Sequence, residues 1–304
     1  MLIAVTGATG FLGRYIVNTL TAAGHRVRAW YRPGSDRGGF EGREDAIEWV
    51  PGDLADPAAA GKLVKGVDAV VHAALARQGS GWSASDADLV AFAQANIIGS
   101  LMLMQQAREA GAARFVFIST CAVHDRIRDD RPLDEAHPLW PMSHYGAHKA
   151  AVEKFVHSFG LGGGWPICAL RPTGIYGPTR PVSESKWYDL VREVVAGRKI
   201  SSAAGGKEVH AADVAKATLL LLEAPAERIT GEAFNCYDMY IADQDVAAIA
   251  RDLSASSSEI EQLNRGPKNQ IETGKVRDLG MSFGGRGQLE QYVRTLLDAV
   301  QQGE

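Results

Sequence analysis

Short apolar runs alternate with helical patterns over the first 170 residues. Apolar runs suited to buried strands lie at residues 2–5, 27–31, 47–50, 69–74, 115–118 and 167–170. Between them, apolar residues recur at helical spacing, most clearly over 15–23, 86–110 and 143–159. Strands that alternate with helices predict an α/β fold, in which a parallel sheet carries helices on both faces.

Beyond residue 170 the pattern becomes less regular. Prolines at 172, 178 and 181, with polar residues up to Lys186, indicate a change of architecture. We therefore predict a first domain over 1–171 and a smaller second domain over 172–206 and 238–304. A helix predicted over 213–223 and a strand over 233–236 return the chain to the first domain around 207–237. Helices around 244–253 and 288–301 complete the second domain.

A glycine-rich turn follows the first strand directly. Gly7, Gly10 and Gly13 are spaced three apart, between the strand and the helix that follows. Gly7 permits the tight turn, Gly10 has no Cβ to keep phosphates away, and Gly13 lets the helix pack against the strand. Backbone N–H groups at the start of a helix attract anions. We interpret the turn as the pyrophosphate site of a doubly wound Rossmann sheet; the alternative is a purely structural glycine turn.

Composition narrows the class of protein. The chain has 304 residues, 46% of them hydrophobic, and a net charge of -4. Without a basic excess, nucleic acid is not an expected partner. No apolar run approaches the roughly 18 residues of a membrane span, and the first strand begins at residue 2, so we expect a cytoplasmic protein. The cysteines, at 121, 168 and 236, lack paired spacing, so neither a disulfide framework nor a metal site is predicted.

A tyrosine and a lysine lie one turn apart at the start of the helix predicted over 143–159. Tyr145 and Lys149 are spaced i, i+4 and therefore share a face. A phenol titrates near pH 10, but a nearby ammonium stabilises the phenolate, so Tyr145 could exchange a proton with a substrate oxygen. The preceding strand ends at Ser119 and Thr120, which brings hydroxyls to the edge of the sheet where ligands bind.

With these features the chain resembles the extended short-chain dehydrogenase/reductases, also called the NAD-dependent epimerase/dehydratase family. The resemblance covers the whole chain and rests on motifs in the family's order. These motifs are TGATGFLG at 6–13, GDL at 52–54, HAA at 72–74, NIIG at 96–99, FVFIST at 115–120, YGAHK at 145–149, LRPTGIYGP at 170–178 and VHAADVA at 209–215.

The resemblance implies roles for individual residues. Thr120 would hydrogen-bond the reacting oxygen, with Ser119 as the alternative hydroxyl, Tyr145 would be the acid/base, and Lys149 would both tune Tyr145 and hold the nicotinamide ribose. Asp53 and Leu54 would border the adenine, Ala73 and Ala74 the phosphates or ribose, and Pro172 to Ile175 the nicotinamide. The implied cofactor-binding set is Gly7, Thr9, Gly10, Phe11, Leu12, Gly13, Asp53, Leu54, His72, Ala73, Ala74, Tyr145, Lys149, Pro172, Thr173 and Ile175.

The end of the second strand departs from the pattern of NAD-preferring relatives. They carry an acidic residue there that binds the ribose hydroxyls, whereas this chain has Tyr31 followed by Arg32. No carboxylate would repel a 2′-phosphate, and Arg32, Arg37 or Arg14 could bind one. We predict NADP as the preferred cofactor, with NAD possible; the alternative is that Arg32 only begins a solvated loop.

Further departures concern the substrate side of the site. Cys121 occupies the place of an acid/base cysteine in one epimerase branch, but Thr179 replaces its histidine partner after Tyr176. His124 could substitute for that histidine, although packing or substrate shaping is the favoured role. Cys121, His124 and Tyr176 are thus the candidate substrate contacts. Cys121-Ala122 stands where the dehydratases carry an Asp-Glu pair, which argues against dehydration. Sugar-nucleotide relatives also carry an Arg-Asp beside the Val-His-Ala motif and an Asn after the Arg-Pro motif. Neither is evident at Val209-His210 or Thr173-Gly174, which places a nucleotide-sugar substrate in doubt.

The leading hypothesis is an NAD(P)-dependent oxidoreductase that transfers hydride between the nicotinamide and a carbonyl or secondary alcohol of a small-molecule substrate. The alternatives are an NAD(P)-dependent epimerase, perhaps on a sugar, which returns the hydride and leaves no net redox change, and a nucleotide-sensing regulator without catalysis. The long helices over 86–110 and 143–159 form a dimer interface in relatives, so the resemblance also implies a homodimer.

Overall fold

The protein is described by a computed structural model that covers residues 1–40, 42–76, 88–263, 266 and 269–303. The strands are β1 (Leu2–Thr6), β2 (Arg26–Tyr31), β3 (Ile47–Pro51), β4 (Ala69–His72), β5 (Arg114–Ile118), β6 (Ile167–Pro172), β7 (Gly174–Tyr176), β8 (Gly205–His210), β9 (Glu232–Cys236) and β10 (Met239–Ala242). The helices are α1 (Phe11–Ala22), α2 (Pro57–Val64), α3 (Leu89–Ala93), α4 (Gly99–Glu109), α5 (His144–His157), α6 (Tyr188–Val195), α7 (Ala211–Glu223), α8 (Ala226–Ile229), α9 (Asp243–Ser254), α10 (Gly274–Arg277) and α11 (Gly285–Gln302).

The first of two compact units comprises residues 1–172, 214–236 and 271–281. It contains a seven-stranded sheet in the order β3-β2-β1-β4-β5-β6-β9, and every neighbouring pair is parallel. The strand order reverses direction between β1 and β4, and in open parallel sheets the crevice at such a point binds ligands. The predicted α/β doubly wound sheet is confirmed.

Buried apolar side chains hold helices on this sheet. Leu63 of α2, Leu103 of α4 and Val152 of α5 join one buried cluster with residues of the strands, among them Val70 and Phe115. On α1, the buried residues are Gly13, Ile16, Val17 and Leu20, at the spacing of one helix face. This packing fixes each helix on the sheet and so fixes the loops that connect helices and strands at the carboxyl edge.

The second unit comprises residues 173–213, 237–270 and 282–304. Its sheet has the order β10-β8-β7, with β8 antiparallel to β10 and parallel to β7. Side chains of α6, α9 and α11 form the core, including Val191, Val246 and Leu296. In the part of the chain that the structure describes, no helix has the length and apolarity needed to cross a membrane.

Three differences from the predicted elements concern the site. Helix α1 begins at Phe11 rather than at residue 15, directly on Gly10. Strand β4 ends at His72, two residues before its predicted end, because the side chain of Thr6 accepts from the backbone N–H of Ala74. The small sheet of the second unit was not predicted, since its strands are short and β8 begins with glycines and charged residues that lack an apolar pattern. The predicted helix start at residue 86 lies outside the described residues.

Candidate active site

The glycine turn brings β1, α1 and the end of β4 into close approach. Gly7 has φ +73°, and a Cβ there would lie 2.8 Å from the carbonyl carbon of Ala73. A Cβ on Gly13 would lie 1.9 Å from the carbonyl oxygen of Gly7, so the helix can rest on the turn only without a side chain there. Gly10 is less confined, because its Cβ would meet only the oxygen of Gly7, at 3.2 Å. The crowding at Gly7 and Gly13 is structural, whereas the absent Cβ at Gly10 leaves room for a ligand.

Helix α1 begins at Phe11, directly after the last residue of this turn, Gly10. Phe11, Leu12 and Gly13 form its first turn, whose N–H groups have no acceptor within the helix, and Gly10 offers no capping side chain. Such N–H groups and the positive end of the helix dipole suit a pyrophosphate. The turn therefore fits the phosphates of a dinucleotide.

Arginines surround the loop after β2. Arg14 donates from Nε to the carbonyl oxygen of Gly38 and from Nη2 to Asp36 Oδ2, both at 3.0 Å, and so holds this loop to α1. The Arg37 guanidinium lies 4.7 Å from the centroid of the Tyr31 ring, and Arg32 is exposed directly after β2. Tyr31 thus stands where NAD-preferring relatives are expected to carry a carboxylate, with Arg32 and Arg37 beside it and Arg14 paired with Asp36.

A buried hydrogen-bond network fixes the residues after β4. His72 Nδ1 lies 2.7 Å from Thr6 Oγ1, and its Nε2 lies 2.8 Å from Ser100 Oγ. Thr6 Oγ1 also accepts from the backbone N–H of Ala74 at 3.1 Å. Burial lowers the pKa of His72 to about 3, and the charge of Lys149 adds to this effect, so the imidazole is neutral at pH 7. His72 therefore positions the loop from beneath.

Asn96 holds the same loop from the helix side. It lies in a π-helical turn, Gln94–Ile98, between α3 and α4, and its amide exchanges two hydrogen bonds with the backbone of Ala76, at 2.8 and 2.9 Å. Gly99 lets this helix approach the segment after β3, because a Cβ there would lie 2.3 Å from the carbonyl oxygen of Leu54. Leu54 itself is part of the core, and Asp53 Oδ1 caps the turn at Ala55 N at 2.9 Å.

Lys149 is buried at the carboxyl end of β5. Its ammonium donates to the carbonyl oxygen of Ile118 at 2.8 Å and lies 4.6 Å from the centroid of the Phe117 ring. Burial lowers the pKa of Lys149 from 10.5 to about 7, and Glu153 opposes this shift. Tyr145, one turn earlier and half-buried, packs its ring against His148 with centroids 5.4 Å apart. Strongly perturbed groups of this kind concentrate at functional sites.

The two hydroxyls at the end of β5 have different environments. Ser119 is buried and donates its hydroxyl hydrogen bond to Glu153. Thr120 accepts from the backbone N–H of Ala122 at 3.2 Å, which leaves its own hydroxyl proton available for donation. The family's carbonyl-binding role therefore suits Thr120 better than Ser119.

A family model matches the part of the chain that carries this site. The model described as the NAD dependent epimerase/dehydratase family matches residues 3–236, which contain the glycine turn, Thr120, Tyr145 and Lys149. The chain belongs to this family. The family predicted from the motifs is confirmed.

Curated relatives in the family include reductases. The chain is 31% identical over 229 residues to a 4-hydroxy-2-methyl-3-oxo-4-farnesyl-3,4-dihydroquinoline-1-oxide ketoreductase of Stigmatella aurantiaca, with 72% of this chain and 64% of the relative covered. It is 34% identical over 186 residues to a 2-alkyl-3-oxoalkanoate reductase of Stenotrophomonas maltophilia, covering 59% and 52%. The matches thus span between half and two thirds of these relatives.

Solved structures of the same architecture carry nicotinamide cofactors. A UDP-glucose-4-epimerase from Stenotrophomonas maltophila with bound NAD has a TM-score of 0.79 at 21% identity, covering 99% of this chain and 98% of the other. RMD from Pseudomonas aeruginosa, complexed with NADPH, has a TM-score of 0.75 at 22% identity, covering 100% and 98%. At 21% and 22% identity, the likeness to these two structures shows the shared fold.

His124 and Cys121 lie where this chain departs from the family pattern, and the contacts of both side chains are defined in the structure. His124 is buried, and its Nε2 lies 3.3 Å from Arg171 Nη1 and its Nδ1 3.3 Å from the carbonyl oxygen of Pro138. Because arginine only donates, Nε2 accepts and Nδ1 carries the proton. Burial, with the Arg171 charge, lowers the pKa of His124 to about 4. Cys121 Sγ lies 3.0 Å from the carbonyl oxygen of Arg171. These contacts favour a packing role for His124.

The remaining predicted site residues lie on two units of the chain. Pro172 ends β6 in the first unit and pairs with Cys236. Thr173, Ile175 and Tyr176 belong to the second unit, where Ile175 pairs with Val209 in the small sheet. Tyr176 is buried, its ring centroid is 5.0 Å from that of His210, and its hydroxyl has no hydrogen-bond partner among the described residues.

Sequence reasoning did not single out the groups that support the site. Thr6, Ser100 and Glu153 were not candidates, although each contacts a candidate residue or its neighbour. Asn96 belongs to the NIIG motif at 96–99, which assigned it no role of its own. Glu153 had one available signal, because it continues the i, i+4 series of Tyr145 and Lys149 on the same helix.

Proposed function

We propose that this family member is an NADPH-dependent reductase that converts a carbonyl group of a substrate with an apolar chain into a secondary alcohol. The observation that carries the proposal is the buried Lys149, with a pKa lowered to about 7, one helical turn from Tyr145 and beside the strand that ends at Thr120. A regulator that only senses the nucleotide does not need a lysine ammonium at a buried position, where desolvation makes the charged form unfavourable.

Each of Thr120, Tyr145 and Lys149 has a separate role in proton transfer. When bound, the reduced nicotinamide supplies the hydride for the carbonyl carbon. Thr120 donates a hydrogen bond to the carbonyl oxygen, and Tyr145 gives that oxygen its phenolic proton as the charge develops. The Lys149 ammonium stabilises the resulting phenolate. The glycine turn and the first turn of α1 hold the pyrophosphate, and the loop after β4 borders it.

The contacts of Cys121 and His124 weigh against the epimerase alternative. An epimerase of the branch with an acid/base cysteine needs a second proton-transfer group. The thiol of Cys121 is directed to the carbonyl oxygen of Arg171, and both nitrogens of His124 have partners. Net reduction needs only Tyr145 as a proton donor, so it requires nothing further of these residues.

The apolar substrate chain is inferred from a recess beside the start of α5. Arg126, Trp140, Pro141 and Met142 line it, and Trp140 and Met142 are 43% and 82% exposed. Pro141 lies against the first turn of α5, since a Cβ on Gly146 would be 2.8 Å from Pro141 Cβ. Exposed large apolar residues near a candidate site favour an apolar ligand. The relatives with farnesyl and alkyl groups in the names of their substrates agree with this class.

Activity is tested by following the absorbance of NADPH with 2-alkyl-3-oxo acids of increasing chain length, and by product analysis with UDP-glucose in the presence of NAD⁺ or NADP⁺. We expect net oxidation of NADPH with the oxo acids and no isomerisation of UDP-glucose. Tyr145→Phe should lower kcat by at least about 100-fold and leave the Kd for NADPH within about threefold. Isomerisation of UDP-glucose with NAD⁺ or NADP⁺, without net reduction of the cofactor, would establish the epimerase instead.

NADP preference is proposed from the cations that follow β2. A phosphate contact from Arg32 or Arg37 is a charge-assisted hydrogen bond, and losing one is expected to weaken NADPH binding by about 10-fold or more. Arg32→Ala and Arg37→Ala should therefore raise the Kd for NADPH and leave that for NADH nearly unchanged. Arg26→Ala is the matched control, because Arg26 is an exposed arginine at the opposite end of β2. Equal wild-type affinity for both cofactors would contradict the preference.

A homodimer is proposed through the helix that runs from α3 to α4. Leu89, Val90 and Ile98 on this helix are 42%, 79% and 39% exposed. Burying such side chains in a partner is favourable. Light scattering should show a dimer for the wild type and a monomer for Val90→Glu combined with Ile98→Glu. A monomeric wild type at micromolar concentration would contradict it.

A further inference from the structure

A buried ion pair lies directly beneath the candidate catalytic groups. Arg171 Nε is 3.0 and 3.1 Å from the two carboxylate oxygens of Glu153, and Arg171 Nη2 is 2.6 Å from Glu153 Oε2. Glu153 is 0% and Arg171 1% exposed. A buried pair gives little net stability, because desolvation of both charges offsets their attraction. The contacts of the pair therefore indicate a role other than stability.

Glu153 joins α5 to the end of β5. Tyr145, Lys149 and Glu153 follow one another at four-residue spacing, so they share a face of α5. Ser119 donates its hydroxyl to Glu153, and the residue before it, Ile118, accepts from Lys149. Two successive residues of the strand end are thus bound to the catalytic face of the helix. These bonds set the position of the next residue, Thr120, relative to Tyr145.

Arg171 joins the same group to the segment between β5 and α5. Its Nη1 donates to the carbonyl oxygen of Glu135 at 3.0 Å and to His124 Nε2 at 3.3 Å. Its own carbonyl oxygen lies 3.0 Å from Cys121 Sγ. With both ends of its guanidinium used, Arg171 connects β6, α5 and this segment through one side chain.

We propose that Glu153 and Arg171 are a positioning pair, which holds Thr120, Tyr145 and Lys149 in register for proton transfer and balances the charge of Lys149. The proposal rests on the proposed reductase for its kinetic part only. It assigns the pair to the function of the site rather than to stability of the core, and neither residue touches the reacting atoms.

The charges that face Lys149 fix the sign of the electrostatic effect. His148 and Glu153 belong to its own helix, His72 faces it from β4, and Arg171 stands behind Glu153 on β6. Among these, Glu153 alone raises the pKa of Lys149. Replacing it with glutamine should therefore lower the pKa of Lys149 and leave a smaller fraction of the ammonium charged at neutral pH.

The first test titrates Lys149 in the intact protein and needs no substrate. Lysine labelled with ¹³C at Cε is followed by NMR, and the Lys149 signal is assigned by its loss in Lys149→Met. Glu153→Gln should move the Lys149 midpoint down by about one pH unit. Glu48→Gln is the matched control, because Glu48 pairs with Arg28 at 2.9 Å on the surface, and its Lys149 midpoint should not move. An unchanged midpoint in Glu153→Gln overturns the electrostatic part.

The second test measures the kinetic effect with the oxo acid that turns over best. Glu153→Gln should lower kcat by about tenfold, with KM within about threefold, and shift the basic limb of the kcat profile to lower pH. If that variant does not fold, Glu153→Leu with Arg171→Met replaces both charges and should fold, with the same loss of kcat. Wild-type kcat in a folded variant overturns the proposal. Absence of turnover in the wild type would overturn the reductase, while the NMR titration would still decide on the pair.

Discussion

Gly13→Ala is the substitution whose consequence follows most directly from the geometry. The new Cβ would be built 1.9 Å from the carbonyl oxygen of Gly7 and 2.8 Å from the Cα of Ala8. Such contacts do not fall below 3.0 Å, so α1 and the turn must separate by at least 3.0 - 1.9 = 1.1 Å. Both neighbours are backbone atoms, and no side-chain rotation can relieve the contact.

The expected loss of stability combines two opposing effects. Overpacking of this severity costs about 3 kcal/mol, and alanine in place of glycine within a helix returns about 1 kcal/mol. The net loss of about 2 kcal/mol corresponds to a fall in Tm of about 3 °C for a chain of this size. Because the displaced turn is the proposed pyrophosphate site, the affinity for NADPH should fall by more than about tenfold.

Alanine substitutions at two further glycines separate the effect of crowding on stability from the loss of cofactor contact. A Cβ on Gly10 would meet only the oxygen of Gly7, at 3.2 Å, so Gly10→Ala should keep the wild-type Tm but lose NADPH affinity. Gly61 lies within α2, and its Cβ would meet only the flexible end of Gln106, also at 3.2 Å. Gly61→Ala should therefore melt slightly higher and bind NADPH normally. Thermal melts and NADPH fluorescence titrations measure both quantities. A Gly13→Ala protein with wild-type Tm and Kd would refute the reasoning.

Three other substitutions test separate parts of the site. Thr6→Val removes the partner of His72 Nδ1 and of the Ala74 N–H, so we expect a loss of about 2 kcal/mol in urea denaturation and weaker NADPH binding; an unchanged midpoint would contradict this. Lys149→Met removes a buried lysine whose pKa is about 7 in the folded protein and 10.5 in the unfolded chain. Burying its positive charge destabilises the folded state fully below pH 7, and this destabilisation vanishes above about pH 10.5. After loss of the Ile118 hydrogen bond, the variant should be about 3 kcal/mol more stable at pH 7, and the difference should shrink as the pH rises; a pH-independent difference would contradict it. Ser143→Ala removes the cap of α5 at Gly146 N and should cost about 1 kcal/mol, whereas Ser143→Thr should not.

The sequence predicted the parts of the site that depend on local chemistry. The glycine turn is recognisable because each glycine answers to a backbone constraint within one strand–turn–helix unit. Tyr145 and Lys149 are recognisable because helix periodicity alone places them on one face. The positions of Arg32 and Arg37 after β2 likewise follow from the order of residues in the chain. The choice among those arginines for a phosphate stays a prediction.

Long-range contacts decided the rest. Ser119 and Thr120 are indistinguishable as neighbouring hydroxyls, and only the packing of α5 against β5 commits Ser119 to Glu153. From the sequence, His124 could replace the missing histidine partner of Cys121. In the fold, its two ring nitrogens contact Arg171 and the carbonyl oxygen of Pro138. The second sheet escaped prediction because glycine and charged residues carry no strand pattern.

By itself, the sequence determined the family, the sheet, the glycine turn and the spacing of Tyr145 and Lys149 on one helix face, because these are encoded by residues close together in the chain. The tertiary structure alone decided the charge balance around Lys149. That balance depends on burial and on groups from β4, β6 and α5, and the Glu153–Arg171 separation of 18 positions in the chain gives no sign that their side chains meet. Desolvation and long-range pairing exist only once the chain has folded.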